Sequence, residues 1–118
     1  MAATDDDVTL PDWLQAATRP VLHDLGLQLP LAREGDYLEV RLPGEPALEV
    51  WLGQFRGADL VVHLAGQLSD ELTEIGRAVP PCPEHAHHPL SAELIDGDPW
   101  WVCASDERPV ARIGQLRP

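Results

Sequence analysis

Both cysteines of the chain and three of its five histidines lie between residues 82 and 103. The stretch reads Cys82-Pro83-Glu84-His85-Ala86-His87-His88-Pro89-Leu90 and closes at Trp100-Trp101-Val102-Cys103. Thiolate and imidazole are the ligands zinc prefers, and four of them close a tetrahedral shell. Cys82 and His85 have the C-x2-H spacing of a metal knuckle, a four-residue turn in which both side chains can converge on one ion. Seventeen residues separate His85 from Cys103. A gap of about 15–20 residues is typical of ribbon-type sites, where a hairpin carries the distal ligands back to the first pair. The expected ligands are Cys82, His85, His88 and Cys103, and the expected cofactor is a structural zinc. His87 or Asp106 are the alternatives for the fourth position. Asp106 would form a C-x2-D pair with Cys103, whereas the neighbours His87 and His88 should point in different directions, so that one of them binds.

The same residues admit other chemistry. A catalytic zinc needs three protein ligands, an open position and a general base, for which Glu84 is the candidate. The supply of candidate ligands favours a closed shell instead. Weak, exchangeable binding would make the chain a metal sensor. Two buried thiols without a metal are a further reading, since free cysteine behaves as a small hydrophobe. A Cys82–Cys103 disulfide conflicts with a reducing compartment. A cysteine nucleophile needs nearby cations to lower its pKa, and the chain has few. Elsewhere no serine sits in a G-x-S-x-G elbow, and Gly53, Gly57 and Gly66 are too scattered for a phosphate loop.

The run Cys82-x2-His85, then His88-Pro89-Leu90, then Trp101-x-Cys103 resembles a zinc-ribbon-like C-terminal module of small, uncharacterised proteins from GC-rich Gram-positive bacteria. The match covers about a third of the chain and departs from the four-cysteine ribbon by lacking a second C-x2-C. The resemblance implies an architecture and no activity.

With 118 residues and 44% apolar content, the chain suits one compact domain, or one with a small appendage. Its net charge is −12, and it contains neither lysine nor asparagine, as translation of a GC-rich bacterial genome or a salt-adapted proteome would give. That charge repels phosphate backbones and excludes general nucleic-acid binding. Even the segment from residue 82 onward holds six acids against Arg108, Arg112 and Arg117. A basic protein partner fits the charge, and a homodimer is the other arrangement considered. No apolar run approaches the roughly 20 residues of a membrane span. The acidic N-terminus lacks the basic head and apolar core of a secretory signal, which favours the cytoplasm.

The elements that must position the cluster follow from periodicity. Residues 1–8 read as a disordered acidic tail. Leu10, Trp13, Leu14, Ala17, Val21, Leu22 and Leu25 form one face of a helix over about 10–25, opened by Thr9, kinked or split by Pro20 and closed by Gly26. His23 should lie at its surface near the negative helix end. Residues 28–35 read as a connection. Period-2 alternation predicts strands at 37–42, 47–55 and 60–65, an antiparallel meander whose Leu/Val face packs on the helix. Its opposite face carries Trp51, Phe55 and Val61 among polar residues, to be covered by later chain or by a partner. Ser69 should cap a second helix over 69–79, stopped by Pro80, Pro81 and Pro83. A hairpin follows, 91–96 and 99–104 around Gly97-Asp98, with 110–113 as a third strand. The adjacent Trp100 and Trp101 should face opposite sides, one packed into the N-terminal domain and the other shielding the knuckle.

The expected fold is therefore α+β: helix, three-stranded antiparallel meander, second helix, then a zinc-stapled β-hairpin. It divides into a tail (1–8), an α+β domain (9–79) and a zinc-ribbon-like module (80–118). The expected function is non-catalytic protein–protein interaction, as an adaptor or regulatory protein. A metal-dependent enzyme or a metal sensor built on the cluster is the alternative.

Overall fold

The structure is a computed structural model that describes residues 10–77 and 79–117, with the side chains of Ala86 and His87 excepted. The readings of 1–8 as a tail and of Thr9 as a helix start lie outside the described residues. Within them the chain is a mixed α+β protein with two helices and three antiparallel sheets.

Helix α1 spans Asp12–Leu25. Leu14, Ala17, Val21 and Leu25 recur at helical spacing and are buried, as is Leu10 just before the helix. The helix is continuous through Pro20 and is not split there. It ends as its sequence predicts. Gly26 adopts φ 71°, its N–H donates to His23 O, and Leu27 N–H donates to Leu22 O at 3.0 Å. This left-handed cap satisfies two of the last carbonyls.

The first sheet has the order β1 (Leu31–Glu34), β2 (Tyr37–Val40), β3 (Leu48–Trp51). Leu38, Val40 and Val50 face the core and are buried. The meander is thus present with different members. Its first strand lies in the segment read as a connection, and 60–65 is not a strand. Residues Gly57–Glu74 form one 18-residue helix, α2. Leu60, Leu64, Leu68 and Leu72 repeat every fourth residue, with Val61 and Ala65 beside them, and all six are buried against the core. The predicted helix over 69–79 coincides with its last part only as far as Glu74, where α2 ends. Ser69 is no cap: it is buried mid-helix and donates its hydroxyl to Val79 O at 2.8 Å.

Beyond α2, β4 (Pro81–Cys82) pairs with β5 (His85–Pro89). β6 (Ser91–Ile95), β7 (Asp98–Cys103) and β8 (Arg108–Arg112) form the last antiparallel sheet. The predicted hairpin and third strand are present, but the turn is Asp96-Gly97. Ile95 pairs with Asp98, and both turn residues have positive φ, 53° and 83°. This is the geometry that Asp-Gly favours in two-residue hairpins.

One core cluster includes residues on both sides of the proline-rich joint: Leu68 and Leu72 of α2 with Cys82, Leu90, Trp101, Cys103 and Ile113. The polar tie is Asp24, which is buried on α1 and accepts from Trp101 Nε1 at 2.8 Å, from Leu116 N at 3.2 Å and from Gly114 N. A Cβ at Gly114 would lie 2.8 Å from Pro20 Cβ, so only glycine lets the chain after β8 close on α1. His23, exposed as expected, lies within 2.9 Å of Arg117 O through Nε2. No helix of the described residues is long and apolar enough to cross a membrane.

Candidate metal centre and outer sheet face

The sequence Cys82-Pro83-Glu84-His85 closes the tight connection between β4 and β5, with Cys82 and His85 as cross-strand partners. Their side chains therefore meet, Cys82 Sγ lying 3.5 Å from His85 Nδ1. The Asp96-Gly97 hairpin returns β7 to the same place, and Cys103 at its end puts Sγ 3.4 Å from His85 Nδ1. The three ligand atoms all lie within 4.8 Å of one another. Zinc bonds of about 2.3 Å to sulfur and 2.0–2.1 Å to nitrogen, set at the tetrahedral angle, require S···N edges of about 3.6 Å. The two observed edges match that requirement without rearrangement. Both thiols are free, at 1% and 0% exposure, and His85 is half-buried.

The electrostatics of Cys82 and His85 are linked. Burial acts to raise the Cys82 pKa. Hydrogen bonds involving the His85 ring, the Glu84 and His85 backbone and Cys103 together outweigh it and hold the thiol below its ordinary value. The hydrogen bond with Cys82 raises the His85 pKa against the opposing effect of burial, helped by the negative charges of Cys82, Asp106 and Glu84.

Three of the four expected ligands are thus brought together, and His88 is not among the convergent atoms. Its ring stacks on that of His85 at 5.0 Å between centroids. Its Nδ1 lies 3.2 Å from Pro89 O, and its Nε2 lies 3.2 Å from Ser105 Oγ. The physical reason is local: the His88 ring lies beside that of His85, but its two nitrogens are engaged by Pro89 O and Ser105 Oγ. Asp106 stands 3.7 Å from Arg108 in an exposed ion pair and is also outside the convergent set. The alternative ligand His87 has its side chain outside the described residues. Glu84, the candidate base, is paired with the Arg108 guanidinium, which has its own pKa raised chiefly by that hydrogen bond. Cys82, Glu84 and Arg108 line a cleft of ≈ 250 Å³.

Of the paired tryptophans, Trp101 is fully buried and bonded to Asp24 on α1, as expected for the one packed into the N-terminal elements. Trp100 is half-buried, and the Arg112 guanidinium lies 5.4 Å from its ring centroid. Asp24 was missed as a structural residue because its partners lie 77 or more positions away, and no local signal marks it.

A second feature is the outer face of the first sheet. Alternation along the strands places Glu34, Tyr37, Glu39, Glu49 and Trp51 on the side away from the core. Tyr37 is directly opposite Trp51, and Glu39 directly opposite Glu49. Trp51 is 53% exposed and Phe55 37% exposed. Their rings meet edge-on at 6.3 Å and 83°. Phe55 stacks on His63 at 4.3 Å, and His63 Nε2 lies 2.6 Å from Trp51 O. Among the described residues the later chain reaches this face through His63 and leaves Tyr37, Trp51 and Phe55 exposed.

Comparison with known proteins leaves the site to be judged on its chemistry: no family model matches the chain, and neither a curated protein nor a solved structure matches it.

Proposed function

We propose that this chain is a non-catalytic protein–protein interaction protein, an adaptor or regulatory protein, whose C-terminal strands are stapled by one structural zinc. The observation that carries the interaction reading is the exposed aromatic pair of Trp51, on the outer sheet face, and Phe55, in the connection to α2, which the other described residues leave open. Large aromatic side chains are the commonest anchors of protein interfaces. The zinc assignment is supported by the two S···N distances at His85 Nδ1, which match tetrahedral edges, and by the three ligand atoms lying within 4.8 Å of one another. A thiolate-bound zinc suits a reducing compartment such as the cytoplasm. We assign the fourth position to His88, which would exchange its contacts with Pro89 and Ser105 for the ion. The zinc would then do what a zinc-ribbon-like module uses it for, fixing short strands that have too little apolar surface of their own.

One observation favours a second reading: the cleft beside Cys82 that Glu84 lines would give a zinc with three protein ligands room for a substrate. Cobalt substitution separates the two. A closed shell gives an absorption spectrum that added azide or chloride leaves unchanged. A spectrum that shifts with the anion reveals an exchangeable position and supports the catalytic reading. The interaction reading is tested by a photo-crosslinking residue at position 51, with position 45 as control, in cells expressing the full chain. A specific crosslink through 51 alone supports it, and none from 51 contradicts it.

A further inference from the structure

We infer that the Trp51/Phe55 face is a binding site for an arginine side chain presented by a basic protein segment. The inference rests on the interaction reading above and names its partner chemistry.

Four observations carry it. The first is the treatment of tryptophan within the chain. Arg56 lies 3.6 Å and Arg33 5.4 Å from the Trp13 ring centroid, Arg112 lies 5.4 Å from that of Trp100, and Trp101 is bonded to Asp24. Among the described residues no cation lies over Trp51, although it is the most exposed large hydrophobic side chain. The second is shape. Trp51, Gln54, Phe55 and Asp59 line a shallow cleft of ≈ 450 Å³. Two rings at right angles with a carboxylate beside them match a guanidinium, which stacks on an aromatic face while its N–H fork engages the acid.

The third is charge. Glu39 and Glu49 are directly opposed across β2 and β3, and like charges in that position are destabilising. Arg41 meets Glu39 at 3.1 Å, but among the described residues no arginine pairs with Glu34, Glu49 or Asp59. A cationic segment lying on this face would relieve the repulsion. A second copy of the chain, itself at −12, would add to it. The fourth is preorganisation. Gly53 has φ 54°, and a Cβ there would lie 2.9 Å from the Trp51 ring, so the indole lies across the backbone at the one residue that permits it. The His63 contacts with Phe55 and Trp51 O brace the other side of the pair.

The test is an NMR titration of the zinc-loaded full chain with a capped Gly-Arg-Gly-Arg-Gly peptide, its lysine counterpart and its glutamine counterpart. The expected result is saturable shifts centred on the Trp51 indole, Phe55 and Asp59, strongest for arginine and absent for glutamine. Trp51→Leu and Asp59→Asn should each weaken arginine-peptide binding about tenfold, with folding unchanged by circular dichroism. Glu45→Gln, away from the face, should leave it unchanged. Shifts that spread over all acidic residues and persist in both variants would overturn the inference, as would dimerisation through Trp51. If the arginine peptide fails while the crosslinker at position 51 captures another protein or a second copy, the arginine assignment falls and the interaction reading stands. If both fail, both fall.

Discussion

Asp24 is a buried carboxylate on α1 that holds the C-terminal strands to the first helix, and its replacement gives a sharp prediction. In Asp24→Ala the indole N–H of Trp101, which has 0% exposure, loses its acceptor, and the Gly114 N–H loses its own. The Gly114 and Leu116 N–H groups are both only partly buried and can turn in part to water. The fully buried Trp101 bond to a charged acceptor, at about 1.5–3 kcal/mol, and a smaller contribution from the part-buried Gly114 bond put the expected loss at about 2–4 kcal/mol. That is a large share of the roughly 6–15 kcal/mol expected for a domain of this size. Asp24→Asn separates the contributions. An amide oxygen in place of Oδ2 still accepts from Trp101 and Gly114, while the amide nitrogen faces Leu116 N, so the loss should be about 1–2 kcal/mol. Urea unfolding of zinc-saturated protein, followed by far-UV circular dichroism, measures both. In a double-mutant cycle with Trp101→Phe the coupling should be about 1–2 kcal/mol. An Asp24→Ala cost below about 0.5 kcal/mol, or no coupling to Trp101, would refute the role given to this tie.

Three further outcomes follow from the geometry. Gly53→Ala should cost about 1–2 kcal/mol, because it strains a left-handed residue, and should displace the Trp51 ring, read as a large shift of the Trp51 indole N–H resonance. Ser69→Ala removes the bond to Val79 O and should cost about 1 kcal/mol in the same urea assay, with α2 intact by circular dichroism. Zinc affinity, measured by competition with a chromophoric chelator, should fall between about pH 7 and about pH 5 as protons compete for the thiolates and imidazole. The raised pKa of His85 keeps its proton bound to higher pH than an ordinary imidazole, whereas the lowered pKa of Cys82 reduces competition at the sulfur.

The mixed α+β character, α1 and the C-terminal hairpin were legible because their patterns run long enough to be unambiguous. Leu14, Ala17, Val21 and Leu25 span more than two helical turns, and Gly26 ends the helix as its position suggests. The run Leu60-Val61-Val62-His63-Leu64-Ala65 is too short to decide between periods of two and of 3.6. Only the continuation through Leu68 and Leu72 shows that it belongs to a helix, and Ser69-Asp70 imitates a start signal within it. Strand β1 is four residues long and half exposed, so it carries almost no alternation. At the candidate site, ligand types and spacing pointed to Cys82, His85 and Cys103, which a tight turn and a two-residue hairpin bring together. The place of His88 depended on its contacts with Pro89 and Ser105, which the spacing alone did not reveal. The Asp24–Trp101 bond spans 77 positions and is visible only in the folded chain.

One zinc is proposed to close the C-terminal strands on Cys82, His85, His88 and Cys103. Native mass spectrometry of the purified chain, with the Cys82→Ser, Cys103→Ser and His88→Ala variants alongside, tests it most directly. The expected result is one tightly held zinc per chain, lost in both serine variants together with folding of the C-terminal strands, and weakened or lost in His88→Ala. Zinc held unchanged by His88→Ala would move the fourth ligand to His87 or Asp106. A folded wild-type chain with no metal and two titratable thiols would contradict the account and return both cysteines to the apolar core.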